Sequence, residues 1–500
     1  MKISLLKNEH IMRNKLITFL LVVCFAFAAN AQWAIDSTNT AGVNMYAAST
    51  STAAVFSNGT EWNVFNATTG VHTWGNLTIA RTMIDVVSIG DKVYFAGGKF
   101  GYFADPQYTK TVNVYNSATN TWSTLTMKTA REVGGAGALG NKVVFAGGTG
   151  RADIAGPVYM YNKVDIFDVT TGARTNASLS KGRSNIACGA AGTKIVFAGG
   201  WYWDMMYSIL PSNNVDIYDI TTGVWTKTTL SKKRDNITAA VIGNKILFAG
   251  GTSNMGDVTN VDVYDVSTNT WSVIYMPAAR SSMRTATIGT TAYFAGGTGG
   301  VANDVYAYNS ATNVWTTLSM PTALTGFSMS VINNKLYFAG GTLVAGGAYS
   351  NLLQIYDPAT NSWSTETLSI ARTGVAATTV AGKGYFAGGT IIYGYPTPTN
   401  TKRVDIYTAP LRIVAEEMIN PIMEMQLYPN PAHDIITVDL KGITSNATAV
   451  ILDFTGNEVM RLKLDEANSG ISISNLIPGT YIMVVTDESD MRVVKKFIKQ

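Results

Sequence analysis

Lys92-Val93-Tyr94-Phe95-Ala96-Gly97-Gly98 is the stretch that decides the reading of this chain. Its first half alternates as a half-buried strand does, and it stops on two glycines, the residue that tolerates sharp turns and close backbone approach. The string Phe-Ala-Gly-Gly recurs, ending at Gly98, Gly148, Gly200, Gly251, Gly297, Gly341 and Gly389. A period of roughly fifty residues marks an array of equivalent units. Downstream of each glycine pair comes a second strand, such as Val261-Asp262-Val263-Tyr264, then a turn of the Ser-Thr-Asn-Thr kind, then a tryptophan. These are Trp74, Trp122, Trp225, Trp271, Trp315 and Trp363, with Arg174 in their place in the third unit.

An eighth, degenerate unit precedes the seven. Setting Val55-Phe56-Ser57-Asn58-Gly59 on Tyr94-Phe95-Ala96-Gly97-Gly98 brings Met45 onto Ile84 and Ala47-Ala48 onto Val86-Val87 without a gap. In most units the residue that opens the next one lies nine positions after the tryptophan, as with Trp122 and Arg131, and Trp33 stands at the same offset from Gly42. The last unit, from Arg372 to Tyr407, has three strands and no following tryptophan, so the strand around Trp33 completes it. A four-stranded sheet cannot bury both faces alone, whereas radial stacking buries them and a shared last unit closes the ring.

The order of paired glycines, aromatic and tryptophan resembles the Kelch repeat, which implies an all-β chain with a Kelch-type β-propeller of four-stranded blades. Eight blades closed by the N-terminal strand are expected, with seven as the alternative. The tyrosines and tryptophans then pack between blades.

Flanking segments assign the rest. Met12-Arg13-Asn14-Lys15 precedes an apolar run from Leu16 to Ala28 and then Ala29-Asn30-Ala31, the pattern of a cleaved export signal over residues 1–31. No later segment is long and apolar enough for a transmembrane helix. The propeller occupies 32–410, and a Met-rich acidic stretch at 411–425 reads as a linker. From 426 to 500 the signature changes. Leu427-Tyr428-Pro429-Asn430-Pro431-Ala432 leads into the strand Ile435–Leu440, followed by Asn475-Leu476-Ile477-Pro478-Gly479-Thr480-Tyr481 and the closing Lys495-Lys496-Phe497-Ile498-Lys499-Gln500. These pieces resemble the type A C-terminal sorting domain of type IX secretion. Alternating strands and turn glycines indicate a small Ig-like β-sandwich. The resemblance implies the type IX machinery as a partner, passage of the outer membrane, and a secreted or surface-attached product.

Charged residues make up 14% of the chain and the net charge of +4 is spread without a basic run, which argues against a nucleic-acid partner. Its histidines are His10, His72 and His433. One propeller histidine cannot build a copper or zinc site or a histidine-dependent hydrolase, so neither a metal nor a cofactor is expected. Cys188, in an apolar strand, reads as a small buried hydrophobe. A histidine-independent sugar isomerase or epimerase stays open as an alternative, because Glu132 and Asp235 each follow a blade-opening arginine.

Two features point to binding. Arg81, Arg131, Arg183, Arg234, Arg280 and Arg372 open successive blades, and the Kelch resemblance puts this position near the mouth of the central channel. There they would focus positive potential on an acidic ligand, or else tie neighbouring loops through carbonyls and carboxylates such as Asp165, Asp216, Asp262 or Asp405. The loops after the glycine pairs vary most in length and carry aromatics: Tyr102, Phe103 and Tyr108; Tyr159 and Tyr161; Trp201, Tyr202, Trp203 and Tyr207; Tyr393 and Tyr395. Variable loops on a rigid ring are where recognition usually sits, and aromatic faces suit sugars and proteins. The expected function is therefore a non-catalytic binding or adhesion propeller at the bacterial exterior, recognising glycans, acidic polymers or proteins.

Overall fold

A computed structural model of the chain describes residues 32–41, 45–102, 105–151, 156–204, 206, 208–391, 399–409, 424–441, 447–453, 458–464, 468–486 and 492–500. The export segment and most of the 411–425 stretch lie outside the described residues. The chain divides into two compact units, one spanning Trp33–Thr408 and the other including Ala409–Gln500.

The larger unit consists of eight four-stranded antiparallel sheets, with short two-stranded hairpins on their connections. Its second sheet is typical, running Asp85–Ile89, Lys92–Ala96, Thr111–Asn116 and Thr121–Thr126 from inside to outside. The innermost strands start at Tyr46, Asp85, Gly135, Ala187, Thr238, Arg284, Ser328 and Ala376. Each contacts the next, and the strand at Ala376 returns to the one at Tyr46, so they encircle a channel. The last sheet takes its outer strand from the N-terminus: Gln32–Ser37 lies beside Arg403–Thr408. The strand around Trp33 thus closes the ring as its offset predicted; the Trp33 side chain lies outside the described residues.

The residue pattern accounts for this geometry. The second strand of each sheet is almost wholly buried, since both its faces meet neighbouring sheets, and Tyr94, Phe95 and Ala96 are all in the core. Outer-strand tryptophans Trp122, Trp225, Trp271, Trp315 and Trp363 pack between sheets, as where Trp122 of the second stacks on Trp62 of the first at 4.7 Å, whereas Trp74 is exposed. The turns before Trp122, Trp271, Trp315 and Trp363 each hold an asparagine in the left-handed region, such as Asn120 at φ 52°, which accepts a hydrogen bond from the Tyr115 hydroxyl at 3.1 Å, and glycines Gly70 and Gly223 serve before Trp74 and Trp225. The glycine pairs are required sterically. Gly148 has φ +101°, and a Cβ there would lie 1.9 Å from the Glu132 carbonyl oxygen.

In the smaller unit a three-stranded sheet (Glu424–Tyr428, Ile435–Lys441, Asn468–Ser472) and a four-stranded sheet share one core that includes Ile436, Val438, Ile451, Met483 and Phe497. The linker reading needs correction at its end: Met425 belongs to the first strand and is buried in this core, because its position alternates with the outward Gln426. The Tyr-Pro-Asn-Pro-Ala motif secures the last strand. Asn430 donates to the Lys496 carbonyl at 3.1 Å and accepts from the Ile498 amide at 2.9 Å, while the Gln500 amide donates to the Ala432 carbonyl at 2.8 Å.

Candidate functional site

The six blade-opening arginines lie in the wall of the ring. Arg131, Arg183, Arg234, Arg280 and Arg372 are fully buried and Arg81 nearly so. All six share one role, and five have a second. Each arginine's side chain donates to carbonyls of its own sheet's glycine-pair segment: Arg131 reaches Phe145 O at 3.0 Å and Gly147 O at 2.9 Å, and Arg183, Arg234 and Arg372 each reach the equivalent phenylalanine carbonyl. Its main-chain carbonyl, in five of the six, accepts the amide of a glycine on the preceding sheet, as from Gly98 to Arg131 at 2.9 Å. One residue therefore joins two blades.

Carboxylates complete the arrangement. Arg131 pairs with Asp165 and Arg183 with Asp216, both at 2.8 Å, while Arg234 pairs with Asp262 and Arg372 with Asp405. Arg81 meets the neutral Asn113 at 2.9 Å instead, and Arg280 stacks on the Tyr306 ring at 4.7 Å. Burial pulls the guanidinium of Arg81 down to about 10. The seventh blade lacks the arginine and, with it, the acid: Leu324 and Gln354 occupy the two places, both fully buried. A focused positive field at the channel mouth does not follow from this geometry, because the charges face into the sheets and four of them are neutralised. The arrangement is the wall-tying alternative read from Asp165, Asp216, Asp262 and Asp405.

Of the residues of the enzyme alternative, Glu132 is tied and Asp235 is half-buried. Lys99 Nζ sits 2.9 Å from Glu132, which accepts from Thr149 at 2.9 Å as well. Burial, with some help from Asp257, raises the Asp235 carboxyl above its ordinary range. Their arginine neighbours Arg131 and Arg234 pair with Asp165 and Asp262 instead, not with the acid that follows each of them. Cys188 is half-buried against the cluster that includes Ile195, Phe197 and Tyr218, and burial pushes its thiol up.

The connections after Gly98, Gly148, Gly200, Gly251 and Gly389 form hairpins on that edge of the ring. Trp201–Trp203 pairs with Ile209–Pro211, and Thr149–Arg151 pairs with Val158–Met160 on the preceding sheet. Trp201 and Trp203 alternate along their strand with ring centroids 5.8 Å apart, and Tyr202 lies under Lys181, whose Nζ is 3.0 Å from the ring centre. All three aromatics are half-buried; Tyr159 is exposed and lies 6.2 Å from the Tyr161 ring. Phe103, Tyr207, Tyr393, Tyr395 and the Tyr102 side chain lie outside the described residues, while Tyr108 is half-buried. Lys181, missed in the sequence, had one available signal: it precedes a blade-opening arginine by two residues and so adjoins the hairpin that follows Gly200.

A ring of four-stranded sheets joined by buried arginines defines a β-propeller built from a repeat. The chain belongs to the Kelch-repeat family: residues 138–323 and 237–408 match the model described as the KLHDC2/KLHL20/DRC7 Kelch-repeats domain, and residues 80–126 match the Kelch motif. Residues 426–500 match the secretion system C-terminal sorting domain, so this is an exported protein addressed by its tail. No curated protein matches the chain. Among the described residues no helix is long and apolar enough to cross a membrane.

Proposed function

We propose that the propeller is a non-catalytic glycan-binding protein of the bacterial exterior, with its ligand held on the hairpins around Trp201, Tyr202 and Trp203. The observation that carries this reading is the Trp201–Trp203 pair: two indoles from alternate positions of one short strand, partly open to solvent, beside a tyrosine that Lys181 covers. Flat apolar faces suit the C–H faces of sugar rings, and a hairpin held to the rigid sheet by the Ser184–Trp201 bridge keeps them in place. Export by the sorting tail brings such a surface to where polysaccharides are met. The test is a glycan array on the full secreted chain, repeated with Trp201→Ala/Trp203→Ala. Binding that the double substitution removes supports the proposal; an array without ligand, or binding that survives the substitution, overturns it.

A further inference from the structure

We propose that the central channel carries a second binding site, for small organic carboxylates, in which Arg284 and Ser328 take the carboxylate and Met45, Met329 and Val375 take the apolar body. A cavity of about 340 Å³, a size that suits a small ligand, opens between the inner strands of the sixth, seventh, eighth and first sheets and is lined by these five residues. The space exists because the neighbouring positions are small: Gly374, Ala376, Ala377 and Ala47 also line it.

Arg284 differs from the six wall arginines in every respect that matters. It opens an inner strand rather than a blade, it is exposed, and among the described residues no hydrogen bond or ion pair engages its guanidinium. The acid at the same place in another inner strand is Asp85, on the second sheet, four sheets away and so on the opposite side of the ring. Ser328 opens the inner strand next to it, is 5% exposed, and has its Oγ buried without a protein partner. A buried hydroxyl with nothing to bond is costly and calls for an occupant. A guanidinium fork and one hydroxyl converging on a cavity suit the two oxygens of a carboxylate, the fork making paired N–H bonds and the serine a third. A tetrahedral inorganic oxyanion offers no hydrocarbon to Met45, Met329 and Val375. The two methionines can adapt to a short hydrocarbon body.

The test uses the full chain with ¹³C-labelled methionine methyl groups, the Met45 and Met329 signals being assigned by replacement with leucine. Butyrate is titrated against the neutral isostere butyramide and against inorganic sulfate. Butyrate is expected to shift both methyl signals saturably, butyramide to leave them in place, and sulfate to bind at least about tenfold more weakly. Arg284→Gln, at an exposed and unpaired side chain, should weaken butyrate by about tenfold or more, and Ser328→Ala by a smaller factor, with the thermal midpoint unchanged. Equal shifts from butyrate and butyramide, or a titration that neither variant alters, would overturn the site; sulfate binding as tightly as butyrate would overturn its assignment to carboxylates.

Discussion

Leu324 and Gln354 in the seventh blade supply a natural control for the buried arginine–aspartate pairs, and a variant of the fourth blade can exploit it. Arg183 is fully buried, donates to Asp216 at 2.8 Å and to the Phe197 carbonyl at 3.0 Å, and Asp216 also accepts the Ser180 amide at 2.8 Å. Arg183→Leu strands a buried carboxylate and leaves the Phe197 carbonyl without this donor, which should cost about 3–5 kcal/mol. Adding Asp216→Gln recreates the seventh-blade solution, in which the Gln354 side chain accepts the Thr322 amide at 2.7 Å and returns a hydrogen bond to its carbonyl at 3.0 Å. Only the Phe197 carbonyl then stays unsatisfied, at about 1–2 kcal/mol, so the double variant should be more stable than the single by about 2 kcal/mol. Urea unfolding of the full chain, followed by tryptophan fluorescence for wild type, both single variants and the double, measures this as a coupling free energy. A double variant as unstable as the sum of the two singles would refute the reasoning. It would mean that the carbonyl bonds, and not charge pairing, hold the blades.

Further outcomes follow from particular residues. Gly148→Ala should cost more than about 3 kcal/mol, because its Cβ would overlap the Glu132 carbonyl at positive φ, whereas Gly172→Ala, at φ +71° with nothing within 4 Å, should cost only about 1 kcal/mol; thermal melts of the two distinguish crowding from φ alone. The Asp85 carboxyl is pushed up to about 7 by burial, partly offset by Arg131. The folded chain thus keeps a proton that the unfolded chain releases near pH 4, so this residue makes stability fall between about pH 4 and 7 and stay level above; Asp85→Asn should flatten a stability-against-pH curve in that window. Trp122→Ala should destabilise by about 3–5 kcal/mol in the same urea assay, since the indole fills the space between Trp62, Phe95 and Tyr115. Deleting residues 32–37 should leave the Arg403–Thr408 strand as an open edge, detectable as faster proteolysis of the last blade.

Much of this molecule was legible along the chain because its information is local and repeated. The Phe-Ala-Gly-Gly strings, the tryptophan offsets and the gapless alignment of Val55–Gly59 located eight units, and the missing fourth strand after Tyr407 pointed to the one around Trp33. The motif from Leu427 to Ala432 announced the tail without revealing that Asn430 clasps the last strand. The blade-opening arginines show where such reading stops. Their spacing is plain, and both of their roles could be written down, but a guanidinium has the same sequence signature whether it faces a channel or a sheet. Burial decided it, by placing Asp165, Asp216, Asp262 and Asp405 within reach and excluding water. Arg284 is the converse case: an ordinary residue in a short strand until ring closure sets it beside Ser328 and a cavity, across the channel from the acid that could have neutralised it. The sequence by itself determined the units and their order, since each blade is built from contacts within about fifty residues. Only the closed ring decided which charges are sealed from water and which remain available: each arginine–aspartate pair lies within one blade but is buried by its neighbours, whereas Arg284 and Asp85 stand on opposite sides of one axis.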